Sequence, residues 1–298
     1  MGPGVSDARI EVAGGVVEVS FAGAAESPSR AELLSWIEKA ARAVASYYGG
    51  FPVSRVELTV RTGRPGGIAG GRTWGDRGGA RILITVGEDT SAEDFRENWV
   101  LVHEMVHLAF PSMTGREWIE EGLATYVEPL VRARAGLIAP EEIWRWLLWG
   151  VPRGLDGLGG RGLDQASGWA ASYWGGATFC FLADLQIRER TGNRKSLDDA
   201  LRGIVRAGGN VTVSWPIERA FEAGDQATGV PVLAELYATM GKSGTRIDVP
   251  ALWKKLGVAS SGNRIVYDDS APLAAVRKGI SHGDRAAAAA RPWGDGPR

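Results

Sequence analysis

The feature that most constrains this chain is an H-E-x-x-H, His103-Glu104-Met105-Val106-His107, set inside the run Trp99 to Phe110 whose other positions are all apolar. A helix apolar on nearly every face belongs inside a protein. Three polar side chains buried there need partners, because an unsatisfied buried polar group costs about 1–3 kcal/mol and an unpaired charge more. Four residues along a helix turn about 400°, so the two imidazoles stand one turn apart on nearly one face and reach a single ion. The pattern predicts one zinc ion held by His103 and His107, with Glu104 beside it as general base. Such a site requires a third protein ligand and leaves a position open for water. The segment Trp118-Ile119-Glu120-Glu121-Gly122-Leu123-Ala124-Thr125-Tyr126-Val127-Glu128 supplies the candidates Glu120 and Glu121. Glu128, about 700° further round the helix than Glu121, returns to the same face and is expected to back a ligating histidine by hydrogen bonding.

Periodicity organises the rest of the chain. Residues 9–21 alternate around Gly14-Gly15 and predict a β-hairpin. Ser29 with Glu32 forms a capping-box pattern for a helix that stops at Gly49-Gly50. Val56, Leu58 and Val60, then Ile82, Ile84 and Val86, predict two strands flanking a glycine-rich stretch from Gly63 to Gly79. A single helix is expected over Ser91–Phe110, and another from Arg116 toward Gly136 that Pro129 kinks or ends early. Beyond it strand signals nearly vanish. The expectation there is helices at 140–149, 170–190, 197–207, 216–223, 231–240 and 270–280, with a loop over 150–168. The resulting plan is a hairpin over 1–26, an α+β lobe with the zinc-binding helices over 27–135, a helical lobe over 136–280 and a loose tail over 281–298.

The H-E-x-x-H and the Trp118-Ile119-Glu120-Glu121-Gly122 segment together resemble the gluzincins, the thermolysin-like zinc peptidases whose third ligand is a glutamate followed by glycine. The resemblance implies that Glu121 is the ligand, with Glu120 second, although only thirteen residues separate Glu121 from His107. Further on, Ser172-Tyr173-Trp174-Gly175-Gly176-Ala177, the stretch Leu182 to Gly192 and Ser196-Leu197-Asp198-Asp199 are similar to the catalytic domain of the glycyl aminopeptidase family. By that likeness, which spans roughly residues 100–207, Tyr173 hydrogen-bonds the oxyanion of the reaction. A phenol does this without competing for the metal. Members that bind a free amino terminus carry a glutamate in a Gly-Gly-x-Glu segment; here Gly66-Gly67-Ile68-Ala69 puts alanine there. Strict aminopeptidase action through this segment is therefore less expected than endopeptidase action or an ammonium site built elsewhere. Gly70 and Gly71 are candidates for pairing an extended substrate with an edge strand, the simpler expectation being a surface loop.

With 34 Lys and Arg against 35 Asp and Glu, the net charge of -1 gives no field for gathering phosphates, and nucleic acid is excluded as a partner. The single cysteine, Cys180, lies between two phenylalanines and is expected to be a buried, inert thiol. Trp144, Trp146 and Trp149 are candidates for lining a hydrophobic cleft, with packing in the core or between lobes the stronger expectation. No apolar run is long enough to span a membrane and no signal-peptide core follows Met1. The expectation is a soluble chain, exported if a longer native start was trimmed. The fold class expected is α+β of the thermolysin-like zincin type, and the function a zinc-dependent peptidase acting on peptides or proteins. A scaffold that binds peptide without turnover, or a hydrolase of non-peptide amides, are the alternatives.

Overall fold

The computed structural model describes residues 6–23, 27–76, 78–244 and 246–283. Most of the expected tail, and residues 24–26 between the hairpin and the first helix, lie outside the described residues. Strands β1 (Ala8–Val12) and β2 (Gly15–Ala22) form the expected hairpin. Helix α1 (Arg30–Tyr48) carries the chain over to β3 (Arg55–Gly63), which pairs in parallel with β2. The capping box is present, with Ser29 accepting from Glu32 N–H and the Glu32 carboxylate accepting from the Ser29 backbone. Two further strands, β4 (Ile68–Asp76) and β5 (Gly79–Gly87), complete a mixed sheet in the order β1-β2-β3-β5-β4. One face of β2, β3 and β5 is fully buried through Val17, Val19, Val56, Leu58, Val60, Ile82 and Ile84, the period-two pattern of a sheet covered by helices.

The glycine-rich stretch expected as a loop thus contains an edge strand. Eight backbone pairings to β5 hold β4 despite its poor strand composition, with a bulge between Ile68 and Gly70. The expected single helix over Ser91–Phe110 is two helices, α2 (Ala92–Glu97) and α3 (Val100–His107). Asn98 is extended at the break, its side chain accepts from Val100 N–H, and the Glu97 carbonyl accepts from Arg132. These contacts replace the backbone bonds that a continuous helix would make.

Helix α4 (Glu117–Arg134) continues past Pro129 and does not end there. Pro129 is buried within a helix that packs on α1 and α3, and those tertiary contacts outweigh one missing backbone donor. Helix α5 (Glu141–Leu158) runs on through the first part of the segment expected to be loop, as far as Leu158. Its glycines are packing surfaces: a Cβ on Gly150 would sit 1.8 Å from the Trp174 ring. A π-helical turn, Ala170–Gly175, leads into α6 (Gly176–Thr191). Helices α7 (Leu197–Arg206), α8 (Ile217–Thr228) and α9 (Val232–Leu236) follow near their expected positions. Helix α10 (Val249–Leu256) and the hairpin β6 (Val258–Ser261) and β7 (Arg264–Tyr267) were not anticipated, and α11 (Ala274–His282) closes the described chain. No described helix is long and apolar enough to cross a membrane.

Candidate metal centre

Helix α3 lies against the edge strand β4 on one side and α4 on the other. Its i, i+4 spacing places the His103 and His107 rings 5.0 Å apart at 83°. From α4, Glu121 Oε2 comes within 3.1 Å of His103 Nε2 and 3.6 Å of His107 Nε2. One ligand atom from each residue lies within 4.8 Å of the other two, making this a three-ligand cluster among the described residues. Tetrahedral zinc with bonds of about 2.0–2.1 Å separates its ligand atoms by about 3.3 Å. The His–Glu separations straddle that value, and two imidazoles with a carboxylate are a donor set zinc takes, so the residues present fit the ion.

The charges on the site are mutually dependent. Burial raises the Glu121 pKa, but hydrogen bonds from the two imidazoles outweigh it and hold the carboxyl well below its usual range. Burial pushes His103 down, against the bond to Glu121. In His107 the surrounding carboxylates overcome burial and the pKa rises.

Glu120, the second candidate for third ligand, turns away and accepts from the Met113 backbone N–H. Glu128 does not back a histidine. It is buried and accepts from Arg132 Nη1 at 2.9 Å, one turn along its own helix. His103 Nδ1 has no hydrogen-bond partner among the described residues.

Glu104 is buried, at 7% exposure, and its pKa is raised chiefly by that burial. The Thr73 hydroxyl on β4 lies 2.7 Å from Glu104 Oε2 and 2.8 Å from the Glu104 carbonyl oxygen, so its single proton is placed to bond either. Room for this carboxylate comes from Gly71, where a Cβ would fall 2.5 Å from Glu104 Cγ. Gly71 therefore shapes the pocket of the expected base, in addition to lying on the edge strand. Gly70 sits at the bulge with φ +142°, and Ala69 beside it is exposed.

Tyr173 projects from the π-helical turn, half-buried, with its ring parallel to that of His103 at 6.1 Å. Burial and the neighbouring Glu121 carboxylate raise its pKa, so the phenol keeps its proton. Thr73 escaped the sequence reading because nothing in the strand Ile68–Asp76 marks one threonine. Asp164 escaped it too: it accepts from Trp118 Nε1 at 3.2 Å and Tyr237 OH at 2.9 Å, and pairs with Arg116, tying the start of α4 to the later helices.

The chain matches no protein-family model and no curated protein. Its fold is similar to solved structures of larger proteins. An aminopeptidase N family protein from Idiomarina loihiensis superposes with a TM-score of 0.62 at 13% identity, over 84% of this chain and 49% of that one. An M1 zinc metallopeptidase from Deinococcus radiodurans gives 0.50 at 16% identity, over 82% and 52%. Aminopeptidase A of Legionella pneumophila, solved in complex with aspartic acid, gives 0.51 at 14% identity, over 77% and 26%. The chain thus spans about half the length of the first two. The likeness is one of fold, that of a mixed α/β portion of M1 zinc aminopeptidases.

Proposed function

We propose that this chain is a zinc-dependent peptidase of the gluzincin kind, with His103, His107 and Glu121 holding a single zinc ion and Glu104 acting as proton carrier. The observation that carries the reading is the convergence of three ligand atoms within 4.8 Å next to a buried carboxylate that is not one of them. Zinc bound there supplies Lewis-acid polarisation of the scissile carbonyl and acidifies water. The chain's own groups do the rest. Glu104 takes a proton from the attacking water on its carboxylate and delivers it to the departing amine. Tyr173, protonated and stacked alongside His103, donates to the oxygen that gains negative charge. Edge strand β4, through Gly70 and Gly71, aligns an extended peptide backbone. Exposed Ala69 at the bulge offers no carboxylate to a substrate ammonium, which favours cleavage within a chain over strict removal of the first residue.

Digestion of a peptide library by the purified protein tests this. Cleavage is expected to vanish with a chelator and return with zinc. Cleavage that persists in chelator overturns the metal mechanism. Absence of cleavage by a zinc-loaded protein leaves the binding scaffold, or, if other amides are split, the non-peptide hydrolase.

Thr73 is a positioning residue in this scheme, since its hydroxyl bonds Glu104. A hydrogen bond to a charged group is worth about 1.5–3 kcal/mol. Thr73→Val is therefore expected to lower kcat about tenfold or more while KM stays near that of the parent, and Thr73→Ser to restore it. Equal changes in kcat and KM, or no rescue by serine, would point to a packing role instead.

A further inference from the structure

Tryptophan is rarely left in water, yet Trp146, Trp149 and Trp169 are 44%, 38% and 56% exposed. Of the three α5 tryptophans only Trp144 is fully buried. Trp74 and Trp99 are exposed as well, but Trp146, Trp149 and Trp169 neighbour one another. From His103 the centroids step to Tyr173 at 6.1 Å, to Trp169 at 5.9 Å, to Trp149 at 6.3 Å and to Trp146 at 5.9 Å. The row therefore begins at a ligand of the candidate metal centre and leads outward along the π-helical turn and α5.

We propose that this row is an extended subsite that takes aromatic or other large apolar side chains of a peptide substrate, at positions beyond the residues flanking the bond under attack. The inference rests on the peptidase reading above and names the substrate class for the same site. Its spacing is the first argument. In an extended chain, side chains on one face repeat every second residue, about 6.6–6.8 Å, and each step of the row is close to that repeat.

Rigidity is the second. Trp174, buried against Gly150, forms the floor, stacked beneath Trp146 at 6.2 Å and edge-on to Trp149 at 5.4 Å. The Arg153 guanidinium lies 4.0 Å over the Trp149 ring and donates to the Trp149 carbonyl oxygen. Rings fixed before binding lose little freedom when a side chain stacks on them, which leaves more of the contact energy as affinity. A sugar also stacks on tryptophan but needs polar groups beside the ring for its hydroxyls. The two arginines of α5 are already engaged, Arg145 with Glu142 and the Asn263 carbonyl, Arg153 with the Trp149 carbonyl.

The test measures binding apart from turnover. Zinc-loaded Glu104→Gln protein is titrated against two labelled peptides of equal length by fluorescence anisotropy. One carries phenylalanine at alternate positions and the other alanine. The phenylalanine peptide is expected to bind about tenfold or more tightly. That preference falls toward unity when Trp149→Ala or Trp169→Ala is added, and survives Leu137→Ala, which removes an exposed leucine elsewhere. Equal binding of the two peptides, a preference that survives both tryptophan changes, or tighter binding of a chito-oligosaccharide than of either peptide overturns the subsite. Cleavage by the zinc-loaded parent is read separately. Tryptophan-dependent binding without cleavage sinks the peptidase reading alone, and cleavage without the binding preference sinks the subsite alone.

Discussion

Glu104→Gln is expected to lower kcat by about two to four orders of magnitude, the range contributed by a placed general base, while zinc content stays at the parent level. The substitution keeps the size of the side chain and an oxygen that can accept from the Thr73 hydroxyl, which lies 2.7 Å from Glu104 Oε2. It removes the one thing an amide lacks, a site that takes up a proton near neutral pH. Zinc retention follows because the converging ligand atoms belong to His103, His107 and Glu121. The melting temperature is not expected to fall. Glu104 is buried near the Glu121 carboxylate, which raises its pKa further, and a neutral side chain relieves both that repulsion and the cost of desolvation. Metal analysis, thermal melting and initial rates on one peptide decide the matter together. A zinc-loaded variant that retains most of its activity would move the proton-carrying role elsewhere.

The same residue marks how far sequence reasoning reaches. The spacing of His103, Glu104 and His107 is a property of one helix, and local periodicity is enough to read it. Choosing Glu121 over Glu120 drew on resemblance to gluzincins, since adjacent glutamates on a helix differ only in the direction they face; in the fold Glu121 faces the histidines and Glu120 the Met113 backbone. The placement of Glu128 failed for a related reason. Helical arithmetic returns it to the Glu121 side of α4, but Arg132, one turn along, pairs with it. Thr73 reaches Glu104 across thirty-one positions of sequence, and no local pattern encodes a contact between an edge strand and a distant helix.

Glycine misled the reading twice. The β4 segment and the second half of α5 look like loops because glycine ordinarily breaks elements. Gly71 instead clears space for Glu104 and Gly150 for the Trp174 ring. Their role is to allow close approach, which appears only once the neighbour is known. Asn98 ends a helix just ahead of the apolar run for a different reason: its side chain accepts from Val100 N–H and the preceding Glu97 carbonyl accepts from Arg132, contacts that periodicity does not encode.

Close approach also sets the second large effect, at the crossing of α4 and α6. A Cβ on Gly122 would lie 2.3 Å from Gly176 Cα, and one on Gly176 would lie 1.8 Å from the Trp118 carbonyl oxygen. Both obstacles are backbone, so no rotamer change accommodates even a methyl group, and the helices must separate. Gly122→Ala is therefore expected to destabilise the fold by about 1–3 kcal/mol or more, the range for overpacking a tight core, with a melting temperature several degrees lower. Activity should fall further than stability. Gly122 follows the proposed ligand Glu121, and Gly176 begins the helix that continues from the turn bearing Tyr173, so separating the helices moves one group of the site relative to another. A misplacement of about 1 Å costs on the order of a hundredfold in rate. The measurements are thermal melting, zinc affinity by competition with a chelator, and kcat/KM well below the melting temperature. Gly176→Ala, made from the other side of the same contact, should weaken all three, and the double variant should lose less than the sum because the first substitution already separates the helices. If Gly122→Ala folds and melts like the parent but binds zinc and cleaves peptide equally well, then the α4–α6 crossing does not fix the position of Glu121, and the geometry of the third ligand must be set from α3 instead.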